Sequence, residues 1–182
     1  MRIPNCLPRL LLAAALTAFA VPSVATAEAK LPNILWIVSE DNGPFLGCYG
    51  YPDAVTPRLD ALAAEGLLYR NAFSAAPVCA PTRSTIITGV YAPSMGTQHM
   101  RSRNRVNGEQ IPFFVKYLRE AGYYCSNNSK TDYNLSPYQE DAWNQISGGD
   151  HRKRAEGQPF CAVYNLGRSQ ESSLDVSFIP TR

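Results

Sequence analysis

The run Asn33-Ile34-Leu35-Trp36-Ile37-Val38-Ser39 is apolar throughout except at its two ends. A strand with one wet face alternates apolar and polar residues. A run without alternation is expected to be buried on both faces, an environment found almost only in parallel sheets covered by helices. The run therefore predicts an α/β fold: a doubly wound, mostly parallel sheet flanked by helices. Glu40-Asp41-Asn42-Gly43 follow directly. Acids at the C-terminal end of such a strand stand where open α/β sheets place their ligands. Adjacent carboxylates with no basic neighbour repel each other and invite a hard cation; Ca²⁺, which takes about six to eight oxygen ligands, is the simplest. A solvated strand-to-loop turn is the plainer account of the same residues.

Downstream, Thr56-Pro57 predicts a helix with a hydroxyl N-cap and proline at the first helical position. Leu59, Leu62 and Ala63 form its apolar face, and Gly66 stops it. Leu67 to Phe73 reads as a short strand. Cys79-Ala80-Pro81-Thr82-Arg83 then opens a short amphipathic segment that runs through Thr88 and is closed by Gly89. Ile111-Pro112 to Gly122 predicts a second helix burying Phe114, Leu118 and Ala121. Tyr123 to Ser126 and Pro159 to Asn165 read as two further strands, the latter buried.

The spaced blocks, in this order, resemble the type I sulfatases of the alkaline-phosphatase-like superfamily, most of all the heparan N-sulfatase-like branch. They are the strand with its acidic pair, Thr56-Pro57-Arg58-Leu59-Asp60-Ala61-Leu62-Ala63, Cys79-Ala80-Pro81-Thr82-Arg83, and Thr88-Gly89. The resemblance covers residues 32–172, and residues 173–182 carry no family feature. It implies that a formylglycine-generating enzyme oxidises Cys79 to Cα-formylglycine, whose hydrated aldehyde attacks sulfur and then expels sulfate by collapsing back to the carbonyl. It further implies that Arg83 anchors the modified side chain and that Lys130 touches the sulfate. Glu40 and Asp41, with Cys79, would be ligands of one divalent metal, Ca²⁺; the family usually has Asp-Asp at the acidic pair. His99 is a candidate substrate contact. Asp132 and Gln170 stand where the family often has histidines, and Arg58 replaces a commoner Asn. The expected activity is hydrolysis of sulfuric esters on a sulfated glycan. The family's later metal ligands and second lysine have no counterpart here, so the chain reads as an N-terminal portion with the sheet incomplete at its C-terminal end. Two alternatives stay open: a non-catalytic fragment, and a related phosphodiesterase or phosphonate hydrolase.

Residues 1–27 read as a secretory leader. Arg2 and Arg9 flank the start, Leu10 to Val21 form an apolar stretch too short to span a membrane, and Ala25-Thr26-Ala27 makes a small-x-small cleavage site. Export to the periplasm or outside the cell is expected. The two leader arginines account for the whole formal charge of +2, so the exported chain would be neutral, and nothing in it points to a nucleic-acid binder. Arg101, Arg103 and Arg105 still make a local basic cluster able to meet an anionic glycan. After cleavage Cys48, Cys79, Cys125 and Cys161 remain, at spacings that favour no pairing. With no Cys-x-x-Cys pair and only His99 and His151 as histidines, the sequence lacks the spacing of a Cys/His zinc site.

Overall fold

The structure is a computed structural model, described for residues 30–137 and 139–170. The leader read at 1–27, the tail at 173–182 and the Glu171-Ser172 pair lie outside the described residues. Four strands form one sheet in the order β1-β4-β2-β3. They are β1 (Ile34–Ser39), β2 (Tyr124–Asn127), β3 (Gln145–Ile146) and β4 (Phe160–Leu166). Every pairing is parallel, so the expected parallel sheet flanked by helices is present. Four helices accompany it: α1 (Pro57–Glu65), α2 (Cys79–Thr88), α3 (Ala92–Met95) and α4 (Phe114–Glu120). Among the described residues no helix is long and apolar enough to cross a membrane.

The register decides which side chains share a face. Trp36 lies opposite Val163, and Val163 opposite Asn127; Ile34, Cys161 and Cys125 form the neighbouring row. Because side chains alternate along a strand, these rows share one face. α2 and α4 cover it through Ile87 and Val115, with Phe113, Tyr133 and Trp143 completing the core. Cys125 and Cys161 are cross-strand neighbours here, both fully buried and unbridged. The Cys161 thiol beside it, together with burial, pushes the Cys125 thiol far above its usual range.

Several expectations need correction. The first strand is buried on one face only: Leu35 and Ile37 are 56% and 59% exposed. β1 pairs with β4 alone, at the edge of the described sheet, and no described element covers its outer face. Leu67 to Phe73 is not a strand, because no neighbouring strand among the described residues offers it a ladder. Pro57 does begin α1 and Gly66 ends it, donating to the Leu62 carbonyl at 3.0 Å. Thr56, however, makes no side-chain cap; its hydroxyl donates to Asp60 Oδ1 and accepts from the Gly47 N–H, both at 2.9 Å. The face formed by Leu59 and Leu62 is exposed. α2 is not amphipathic in the expected sense, since it buries Arg83 and Ser84 along with Ile87. α4 starts at Phe114 rather than Ile111; Phe113 and Val115 are the residues fully buried there, while Ala121 is exposed.

Candidate active site

Cys79 is the first residue of α2, entered from extended Val78 and closed by Gly89 at φ 71°, a left-handed cap that glycine adopts without strain. Pro81 falls in the first turn, where its missing N–H costs no helical bond. The approach is braced from outside: Ser74 and Thr82 share a hydroxyl hydrogen bond at 2.6 Å, and Thr82 also donates to the Ala76 carbonyl. Cys79 is thus set at a helix N-terminus, where free N–H groups and the helix dipole favour an anion.

Four residues on, and so on the same helix face, Arg83 is 9% exposed. Its Nε donates to the Asp132 carbonyl at 3.2 Å, Nη1 donates to Asn165 Oδ1 at 2.8 Å, and Nη2 donates to the Lys130 carbonyl. The guanidinium also lies 4.5 Å from the centre of the Tyr133 ring. Asn165 Nδ2 continues the network to Asn127 Oδ1 at 3.0 Å, and Asn127 Nδ2 donates to the Tyr133 hydroxyl at 2.8 Å. Arg83, Asn165, Asn127 and Tyr133 therefore form a closed ring of contacts beneath the helix start. Burial pushes the Tyr133 hydroxyl up to about 12, against the opposing pull of Arg83.

At the end of β1, Glu40 is ion-paired with Lys130, and both side chains are largely buried. Lys130 takes a positive φ of 51°, and Arg83 holds its carbonyl, so one guanidinium fixes the loop that presents the ammonium. Asn42 donates to Ser39, whose hydroxyl also meets that of Ser169 at 3.2 Å. Glu40, Asp41, Cys79 and Arg83 line one cavity of about 320 Å³, together with Tyr133 and Asn165. For a divalent cation these donors are of the right kind but too few. Among the described residues no group of three His, Cys, Asp or Glu comes together, and Glu40 is already neutralised by Lys130. The residues present do not by themselves make a cation site.

Among the remaining sequence candidates, His99 is exposed on the loop before Met100, and its carbonyl accepts from Asn134 at 2.7 Å. Its imidazole is not part of the cavity wall. Met100 is closer, its sulfur 4.0 Å from that of Cys79. Asp132 Oδ1 accepts the Asn134 N–H at 3.1 Å, which makes it a loop brace. Gln170 closes a short turn, its N–H donating to the Gly167 carbonyl at 3.1 Å. Sequence reasoning missed Asn127, Asn134 and Asn165. A signal for two of them existed: Asn127 ends β2 and Asn165 lies one residue from the end of β4, the same end of the sheet at which Glu40 follows β1.

The Sulfatase family profile matches residues 32–172. An ulvan-active sulfatase of Formosa agariphila is 41% identical over 162 residues, covering 81% of this chain and 27% of that protein. The N-acetylgalactosamine-6-sulfatase of Homo sapiens is 36% identical over 110 residues, covering 54% and 21%. The structure of BT4656 in complex with its substrate D-glucosamine-2-N,6-O-disulfate superposes with a TM-score of 0.60 at 23% identity, covering 74% of this chain and 34% of that one. The structure of BT1596, a 2-O GAG sulfatase, gives the same TM-score at 18% identity. The chain thus spans about a quarter of the curated relatives' length. With the strand, the acidic pair and the Cys79 helix all inside the matched region, the chain belongs to the sulfatase family.

Proposed function

We propose that this chain carries the nucleophile-bearing part of a sulfuric ester hydrolase acting on a sulfated glycan. The observation that supports it most is the placement of Cys79 at the N-terminus of α2, in one cavity with Arg83, Glu40 and Asp41, and with Lys130 paired to Glu40. Converted by a formylglycine-generating enzyme, Cys79 would supply a hydrated aldehyde, with one hydroxyl to attack sulfur and a second to expel sulfate. Arg83 commits three of its five donors to Asn165, Asp132 and Lys130, which holds the Lys130 loop against the start of α2. It also anchors the modified side chain from the cavity wall that it shares with Cys79. Lys130 brings an ammonium to offset charge on the sulfuryl oxygens, and His99 is kept as a candidate substrate contact on the loop that carries Met100. Glu40 and Asp41 would contribute two oxygen donors to a Ca²⁺ site whose other ligands the described residues do not supply. The glycan reading draws on relatives named for ulvan and for N-acetylgalactosamine 6-sulfate chemistry, and on a neighbour solved with a disulfated glucosamine. Export follows from the leader at 1–27.

The test is release of inorganic sulfate from sulfated heparan fragments and from an aryl sulfate, with paired phosphodiesters as competitors. The protein is this chain extended by the remaining part of the Formosa agariphila relative, and Cys79→Ala serves as the blank. Sulfate release lost in the blank supports the reading. Preference for the phosphodiester would overturn it.

A further inference from the structure

The loop that follows α3 passes directly over the nucleophile, with Met100 Sδ 4.0 Å from Cys79 Sγ. Its backbone is pinned by a single buried side chain. Asn134, 5% exposed, donates through Nδ2 to the carbonyls of Thr97 and His99, both at 2.7 Å. Its Oδ1 accepts the Ser102 N–H at 2.9 Å. Ser102 Oγ donates to the Gly96 carbonyl and Asn104 Nδ2 to the Met95 carbonyl, each at 2.9 Å. Asn134 is itself held by Asp132, and Asp132 by Arg83. A continuous set of hydrogen bonds therefore ties this loop to the helix that starts at Cys79.

Two exposed arginines ride on it, Arg101 directly after Met100 and Arg103 two residues further. No Asp or Glu occurs between Thr97 and Asn107. The ion pairs among the described residues join Lys116 to Asp141, Lys130 to Glu40 and Arg152 to Asp150, and neither arginine takes part. Arg105 is set apart, lining a different groove with Lys116, Gln139 and Asp141. The loop thus carries two exposed positive charges that no ion pair among the described residues offsets. An anionic ligand would.

We infer that Arg101 and Arg103 form an accessory anion subsite, which takes a second sulfate or carboxylate of a polyanionic glycan while the ester to be cleaved faces Cys79. The inference rests on the sulfatase reading. Guanidinium suits this ligand, because its fork of donors matches two oxygens of a sulfate or carboxylate.

Equilibrium binding of a disulfated aminosugar and its monosulfated counterpart tests the subsite. The proteins are the full chain in the Cys79→Ala background, the same chain with Arg101→Gln and Arg103→Gln, and the same chain with Arg101→Lys and Arg103→Lys. The glutamine pair is expected to bind the disulfated sugar roughly tenfold more weakly, about the effect of one lost charge-assisted contact, with the monosulfated sugar unchanged. The lysine pair should recover part of the loss, and the difference should shrink as salt is raised. Equal affinity of the native loop and the glutamine pair for the disulfated sugar would overturn the subsite. So would a native chain with no preference for the disulfated over the monosulfated form. Conversion of Cys79, read by peptide mass on the unsubstituted chain, tests the sulfatase reading separately from either result.

Discussion

Arg83 and Asn165, 82 residues apart in sequence, are joined by a buried hydrogen bond of 2.8 Å from Nη1 to Oδ1. That bond couples the helix carrying Cys79 to the central strand β4. Through the other two amide bonds of Asn165, it also reaches Asn127 on β2 and the Ser129 carbonyl, the latter at 2.7 Å. Asn165→Ala is expected to destabilise the chain by about 2–4 kcal/mol, since it strands a buried guanidinium and a buried amide oxygen together. Denaturant unfolding measures this. A loss below about 0.5 kcal/mol, the range of an ordinary surface change, would show that the ring does not hold the site.

Tyr133 makes the folded chain sensitive to alkali. Burial holds its hydroxyl proton to about 12, whereas an unfolded tyrosine loses it near 10.0. The raised value means that this contribution to stability is fully present below pH 10 and is lost as pH rises through 12. Its size is about 2–3 kcal/mol. In Tyr133→Phe the stability profile between those two values should be flatter than in the native chain, even though the variant gives up the bond from Asn127 and starts lower. Parallel profiles for the two proteins would remove Tyr133 as the cause.

Cys79 should be the cysteine that the formylglycine-generating enzyme converts. Peptide masses after co-production with that enzyme should show the aldehyde at Cys79 and intact thiols at Cys48, Cys125 and Cys161. Arg83→Ala and Pro81→Ala should reduce the yield if the motif is read in the unfolded chain. An unmodified thiol at Cys79 with active enzyme present would contradict the assignment.

Calcium should bind this chain weakly. Glu40 is paired with Lys130, and no group of three His, Cys, Asp or Glu comes together among the described residues, which leaves few charged donors for an ion that prefers roughly six to eight oxygens. Calorimetric titration is expected to give at best a millimolar site, in the range of weakly held extracellular calcium. A submicromolar constant would mean that other residues complete the shell and that Lys130 is displaced when it forms.

Leu35 and Ile37 on the open face of β1, with Leu62 on α1 and Leu67 and Phe73 beyond it, leave much apolar surface exposed. An uncovered strand edge and face of this kind drives association. The chain by itself should scatter light increasingly with concentration, and Leu35→Lys with Ile37→Thr should suppress this without loss of secondary structure. Undiminished association in the double variant would place the sticky surface elsewhere.

The local chemistry of this protein was legible in its sequence wherever a short segment decides the outcome alone. The apolar run before Glu40 made β1, Pro57 and Gly66 bounded α1, and Cys79 through Gly89 became a single capped helix. The family was legible too, because its motifs are contiguous. Tertiary structure decided what depends on a partner distant in sequence. The same apolar run gives no hint that Leu35 and Ile37 face outward, since that depends on what covers the sheet. Leu67 to Phe73 has strand composition but no neighbour to pair with, and a strand exists only as a pair. Arg83 read as an anchor for the nucleophile; only the fold shows that three of its five donors go to Asn165, Asp132 and Lys130. The sequence assigned Asn127 and Asn165 no part in the site. They became the floor of the site because Asn165 lies two residues beyond Val163, the register partner of Asn127, and so on the same face of the sheet, where a buried amide must find its bonds within the protein.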